Sequence, residues 1–232
     1  MNGPPKSKLV AIAGGSGAGK SWLACRLHQL LGEKAGRISL DGFYRDRSHL
    51  PPSRRDRLNY DQPEAIEWPL VEHALRHCAS GRTVHLPRYD FQTHCRLAAT
   101  EPSHPRAVML VEGLWLFHRP ALRRMFSLKI FIECGERLRL RRRLARDRAE
   151  RGRSPAGIRR QFRTTVAPMH RRHVAPQVRW ADVVLRQPYT ESDIRPLQES
   201  LWRLLQSGSL LPAWMRETFR AELTALLLTK EF

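Results

Sequence analysis

Several things are missing from these 232 residues. There is no CxxC pair. The four cysteines, Cys25, Cys78, Cys95 and Cys134, are scattered and read as reduced thiols of a cytoplasmic protein. No apolar stretch approaches the length that spans a bilayer; VMLVEGLWLF is short and carries Glu112. The opening MNGPPKSK is polar, and the apolar run after it is closed early by glycines, so no secretory leader and no membrane partner are expected. Internal repeats and low-complexity linkers are absent. Acid is scarce: 22 Asp and Glu stand against 41 Lys and Arg, a net charge of +19, with most of the excess arginine. Such a surplus calls for an anionic partner or reflects a compositional bias, and charge arithmetic does not separate the two. A content of 41% hydrophobic and 27% charged residues is that of a soluble chain with one good core.

What is present begins with GGSGAGKS, Gly14 to Ser21. Gly14-x4-Gly19-Lys20-Ser21 is a complete Walker A pattern, placed after an apolar strand (Lys8 to Ala13) and before a helix (Lys20 to Leu31). Glycines let backbone N–H groups approach phosphate oxygens, and the helix N-terminus adds its dipole. Gly14, Gly15, Ser16, Gly17, Ala18, Gly19, Lys20 and Ser21 are therefore the ATP-binding candidates. Lys20 would reach the β and γ phosphates, and the Ser21 hydroxyl would ligate Mg²⁺. A second metal-shell candidate is Glu112, at the end of the buried strand VMLVE.

A second strand is expected at RISL, and further ones at AVMLVEG, SLKIFIE and ADVVL, which read as apolar strands buried on both faces. Helices are expected over Pro63 to Cys78, Gly135 to Arg151 and Ser154 to Val174, and Arg45 to Asp61 reads as loop. VHLP and YDF read as short strands flanking a turn. Alternating strands and helices predict an α/β fold with a central five-stranded parallel sheet flanked by helices. Asp41 ends the second strand, where a parallel sheet binds ligands, and it is either a base facing an acceptor hydroxyl or a turn-capping carboxylate.

LDGFYRD, LNYDQPEAIE, LPRYDFQTHCR, VMLVEGLWLF, RLARDRAERGRS and QFRTTVAPMHRRHVAPQVRWADVVL, in this order, resemble segments of the uridine kinase (uridine–cytidine kinase) family. The resemblance runs from about Lys8 to Leu185. It implies a P-loop kinase domain over 1–205, with a nucleoside-binding hairpin at about 83–97 and a helical lid at about 137–160. A helical extension, 206–232, would pack on the same domain. It also implies phosphorylation of the 5′-hydroxyl of uridine or cytidine, with Mg²⁺ and ATP or GTP as donor. Asp41 would be the base, with Lys20 and Arg146 also catalytic. Tyr44 would line the sugar pocket, and Asp61 would accept from the ribose hydroxyls. Tyr89 and His94 would lie against the base, and Arg143, Arg153 and Gln161 would reach the nucleoside. Arg146 and Arg151 would belong to the lid that closes on ATP. A homo-oligomer, a tetramer in the family, is implied too.

The lid has a physical reading of its own. Arg139, Arg143 and Arg146 share one helical face, which would be met by the triphosphate. Arg137, Arg141, Arg142 and Arg148 cannot all point at one nucleotide, and Asp147 with Arg151 reads as a surface i, i+4 pair. Gly42 replaces a small polar or acidic residue of the family with little expected effect, whereas Trp22 is bulkier than its counterpart. His73 and His77 are i, i+4 but lack further metal ligands. Two other readings stay open at this level. One is a kinase of another small alcohol, of the phosphoribulokinase or pantothenate kinase kind. The other is a basic nucleic-acid-binding NTPase, for which no nucleic-acid module is present.

Overall fold

The computed structural model describes residues 6–207. Its strands are β1 (Lys8–Gly14), β2 (Ala35–Ser39), β3 (Val84–Asp90), β4 (Cys95–Ser103), β5 (Val108–Gly113), β6 (Phe126–Glu133) and β7 (Val183–Arg186). Five of them form one parallel sheet in the order β2-β5-β1-β6-β7. The core strands are apolar right through because both faces are covered: Val10, Ala11, Ile12, Leu110 and Ile130 have no exposed surface. The helices are α1 (Lys20–Leu31), α2 (Pro52–Arg55), α3 (Trp68–Ala79), α4 (Pro120–Arg123), α5 (Glu136–Arg151), α6 (Pro155–Gln161), α7 (Ala167–Met169) and α8 (Glu191–Ser207).

Helix α1 lays Leu23, Leu27 and Leu31 onto one side of the sheet, and α8 packs Ile194, Leu197, Leu201 and Leu204 in the same cluster. Each such leucine contributes about 1.5–3 kcal/mol on burial. Helix α8 has no counterpart in the sequence reading, which leaves 187–205 without an element. The expected extension at 206–232 lies outside the described residues from 208 onward. On the opposite face, α3 and the segment Leu114–Phe117 fill a second cluster with Phe43 and Tyr44.

Four expectations need correction. The helix expected from Pro63 begins at Trp68, because Ile66 is held extended in a bridge with Tyr44 and only a single turn, Pro63–Ala65, precedes it. The VHLP and YDF segments are not two strands around a turn. Nearly all of both lies in β3, whose antiparallel partner is β4, from Val84↔Ser103 to Asp90↔Cys95. Strand β4 escapes a periodicity search because most of it is exposed on both faces. Gly42 is not a neutral departure either. The Pro87 carbonyl of the hairpin lies where a Cβ on Gly42 would stand, so glycine lets the hairpin approach the sheet. Finally, the helix expected over 154–174 is continuous but carries two wide turns, Phe162–Val166 and His170–Val174. Such turns inside α-helices are uncommon and concentrate at functional sites.

Candidate active site

The carboxyl ends of β1, β2 and β5 meet at one rim of the sheet, in register at Ser39↔Glu112 and Ile12↔Glu112. From β1 the chain turns through the glycine loop into α1. Gly17 and Gly19 take positive φ (79° and 99°), and a side chain on Gly17 would strike the Arg139 carbonyl. The loop folds around its own lysine: Lys20 Nζ donates to the Gly15 carbonyl at 3.1 Å, and the side chain is buried. Burial lowers the Lys20 pKa, opposed by the carboxylates of Glu112 and Asp41. Glu112 is itself buried, and its Oε1 accepts from Ser39 Oγ at 2.7 Å and Ser21 Oγ at 3.2 Å. Desolvation and then the nearby Asp41 raise its pKa.

Beyond this rim opens a cleft of about 650 Å³. The structure gathers there Ser16, Lys20 and Ser21 of the loop, Glu112 and Asp41 close by at the strand ends, and Tyr44, Asp61, Tyr89 and His94. Arg143, Arg146 and Arg151 come from α5, Arg153 from the link after it and Gln161 from α6. Every expected acceptor-side residue is thus in one cavity. Asp41 sits in a tight turn directly after β2, its N–H on Ser39 Oγ at 3.3 Å. Tyr44 is buried, and desolvation, then Asp41 and Asp61, push its hydroxyl pKa well up. Asp61 accepts from Thr165 Oγ1 at 3.1 Å; burial raises its pKa and Arg143 opposes the rise.

The hairpin tip supplies the far wall. Asp90 caps the turn by accepting from Gln92 N and Thr93 Oγ1, and His94 follows in a left-handed conformation (φ 57°). Its ring stacks on Tyr60, 4.2 Å between centroids and 6° from parallel. Arg153 Nη2 lies 3.4 Å from His94 Nε2. A guanidinium only donates, so Nε2 accepts and the ring proton sits on Nδ1. Burial, followed by Arg153, lowers the His94 pKa, which keeps the ring neutral at neutral pH.

The arginines of α5 do not behave as one face. Arg139 is buried behind the loop, donating to the Cys134 carbonyl at 3.1 Å with its guanidinium 5.6 Å from the Phe162 ring, and it does not line the cleft. Arg142, grouped above with arginines that cannot all point at one nucleotide, donates to the Ala18 carbonyl at 3.2 Å and to Gln187 Oε1 at 3.1 Å. With Trp22, Gln187 and Tyr189 it lines a second cleft on the other side of the loop, of about 940 Å³. Trp22 is half exposed there, 5.8 Å from the Tyr189 ring. Asp147 is not a surface residue: it is fully buried among four arginines.

Sequence reasoning passes over Tyr60, Phe91 and Leu114 in the cleft, Ser39 on Glu112, and Thr165 on Asp61. Tyr60 and Phe91 stand inside the NYD and YDF segments and were within reach. Thr165, about a hundred positions from its partner, gives no signal along the chain.

Only the loop half of this arrangement is common to nucleotide-binding proteins at large. A walled second pocket facing the loop, under helices that supply arginines to both, makes this a P-loop kinase. Residues 9–193 match the Phosphoribulokinase / Uridine kinase family. A uridine kinase of Chloroflexus aggregans is 42% identical over 177 residues, 76% of this chain and 85% of that protein. One of Halobacterium salinarum is 35% identical over 208 residues, 90% of this chain and 91% of that protein. The phosphoribulokinase of Rhodobacter spheroides superposes with a TM-score of 0.58 at 18% identity, over 78% of this chain and 70% of that one, a likeness of fold alone. The chain belongs to the phosphoribulokinase/uridine kinase family.

Proposed function

We propose that the protein transfers the γ-phosphoryl group of ATP to the 5′-hydroxyl of uridine or cytidine, giving UMP or CMP. One observation carries the reading: Asp41, Asp61, Tyr89 and His94 line a single cleft together with Ser16, Lys20 and Ser21 of the phosphate loop. The triphosphate lies on the loop N–H groups and Lys20, and its base extends toward the cleft of Trp22, Arg142, Gln187 and Tyr189. Asp61 accepts from the ribose 2′ and 3′ hydroxyls, which orients the sugar with its 5′-hydroxyl toward Asp41. Asp41 takes the hydroxyl proton as the new P–O bond forms. Arg146 and Arg151 offset the charge that spreads over the transferred oxygens, and lid closure over them excludes water.

A magnesium ion fits the rim. Ser21 Oγ and the Glu112 carboxylate are hard oxygen donors facing the loop, and Mg²⁺ is commonly held by one carboxylate together with substrate phosphates. When bound, the ion supplies positive charge that neutralises phosphate oxygens.

Two stacked rings at the hairpin tip, Tyr60 and His94, suit a planar base rather than a small polyol, which favours a nucleoside over another alcohol. The basic surplus gives no comparable support to a nucleic-acid reading. Exposed arginines occur on α2 (Arg54), α3 (Arg76), β3 (Arg88), α5 (Arg141) and α6 (Arg160) rather than gathering on one element. Among the described residues no helix is long and apolar enough to cross a membrane. A cytoplasmic homo-oligomer belongs to the same reading, and light scattering after size exclusion measures the subunit count.

The deciding experiment is a coupled kinase assay with Mg-ATP and uridine, cytidine, deoxycytidine, adenosine, ribulose 5-phosphate and pantothenate as acceptors. Turnover confined to uridine and cytidine is expected. Turnover on ribulose 5-phosphate or pantothenate alone, or on none of the six with ATP still bound, overturns the proposal.

A further inference from the structure

Asp147 has no surface exposure, yet four guanidiniums surround it. Arg146 Nη2 is 2.9 Å from Oδ1 and Arg151 Nη1 3.5 Å; Arg143 Nε is 3.3 Å from Oδ2 and Arg153 Nη1 3.9 Å. All four arginines line the cleft. The Asp147 backbone carbonyl also accepts the N–H groups of Gly152 and Arg153, which ties the end of α5 to the start of the next helix. One residue therefore organises the whole arginine set.

The balance of this cluster is telling. Four guanidiniums share this one carboxylate, while Asp61 acts on Arg143 and Arg153, and Asp41 on Arg151, from within the same cleft. A buried ion cluster is not by itself a stabilising device, because desolvation opposes the Coulombic gain. Nor is the cluster locked. Oδ2 of Asp147 and Nε of Arg143 face each other without a well-directed hydrogen bond. Arg146 is committed to Oδ1 through both Nε and Nη2, while its side chain stays one-third exposed toward the cavity. Such a group is aimed and still has donors left for an anion.

We propose that Asp147 is a positioning residue for phosphoryl transfer: its buried carboxylate holds Arg146, together with Arg143, Arg151 and Arg153, at the phosphate end of the cleft. It touches no substrate and acts through Arg146. The inference rests on the reading of Arg146 as a phosphate contact.

The test is a double-mutant cycle on kcat, with uridine and Mg-ATP saturating. Asp147→Asn alone is expected to lower kcat about 100-fold, the scale of losing an aimed donor to the transition state. On an Arg146→Gln background the same change should cost less than about threefold, since residues acting as a unit are not additive. Losses that multiply, or an Asp147→Asn enzyme within about twofold of wild type while Arg146→Gln is impaired, overturn the proposal. An Arg146→Gln enzyme of normal kcat instead withdraws the underlying reading of Arg146. If Asp147→Asn shows no cooperative thermal melt, the cycle is run with Asp147→Glu. One methylene more in a fully buried site must displace the guanidiniums, and a displacement of about 1 Å can cost up to about 100-fold in rate. A folded Asp147→Glu enzyme should therefore lose about tenfold in kcat, and nothing further on the Arg146→Gln background. Normal turnover in that variant, or equal losses on both backgrounds, overturns the proposal.

Discussion

Replacing Asp61 by Asn is the sharpest probe of the acceptor pocket. The change is nearly isosteric, and the carbamoyl oxygen can still accept from Thr165 Oγ1, which lies 3.1 Å from the carboxylate. What is lost is the charge and one acceptor face. A hydrogen bond to a charged group contributes about 1.5–3 kcal/mol, against about 0.5–1.5 for a neutral pair. Two ribose hydroxyls each lose part of that difference, for a total of about 2–3 kcal/mol. At 1.4 kcal/mol per tenfold, this predicts a KM for uridine raised about 30- to 150-fold. The kcat should fall only a few-fold, because Asp61 faces the sugar and not the reacting oxygen. Discrimination against 2′-deoxyuridine should collapse toward unity, since the wild-type penalty arises from leaving a buried carboxylate unpaired. Initial rates over a nucleoside titration, at saturating Mg-ATP, measure all three quantities. An unchanged KM, or ribose selectivity that survives the substitution, refutes the ribose contact.

Three further outcomes are expected. Asp41→Asn should retain nucleotide binding, read with a fluorescent ATP analogue, while kcat drops about 100- to 10,000-fold; near-normal turnover removes Asp41 from the base role. His94 has a folded pKa below its ordinary 6.5, so the unfolded chain takes up the proton first as pH falls. Its contribution to stability should then be constant above neutrality and fall below about pH 6.5, the ordinary imidazole value, whereas the uridine KM should worsen only further down, where the folded imidazole itself takes up a proton. His94→Gln should abolish that acid limb of the KM profile, and a limb that persists assigns it to another group. Gly42→Ala should displace the hairpin through the Pro87 carbonyl, at a cost of about 1–3 kcal/mol. A thermal melt several degrees lower and a weaker uridine KM with little change for ATP would register it; an unchanged melt and KM would show that the hairpin yields freely.

Legibility along the chain followed the range of the physics involved. The parallel sheet could be read because its central strands β1 and β5 are apolar and buried nearly throughout, and the phosphate loop because glycines, lysine and hydroxyl lie in one turn. The expected site residues could be named from short contiguous segments, and Asp41, Asp61, Tyr89 and His94 do share one cleft. Failures came where the partner is remote. Strand β4 is defined only by pairing with β3, so its exposed residues carry no alternation of their own. Helix α3 starts late because Ile66 is tied to Tyr44, more than twenty positions away.

The arginines of α5 mark the division most clearly. Their number and helical spacing are properties of the sequence, and so is the positive charge they bring. Which of them faces phosphate is not. Arg139 is drawn behind the loop by the Cys134 carbonyl and Phe162, and Arg142 is turned to the second cleft by Ala18 and Gln187. Arg143, Arg146, Arg151 and Arg153 are gathered by Asp147. A charge on a helix is local, but its direction depends on what the neighbouring elements leave exposed. Burial of Asp147 follows only once the helix and the segments after it have packed over the sheet.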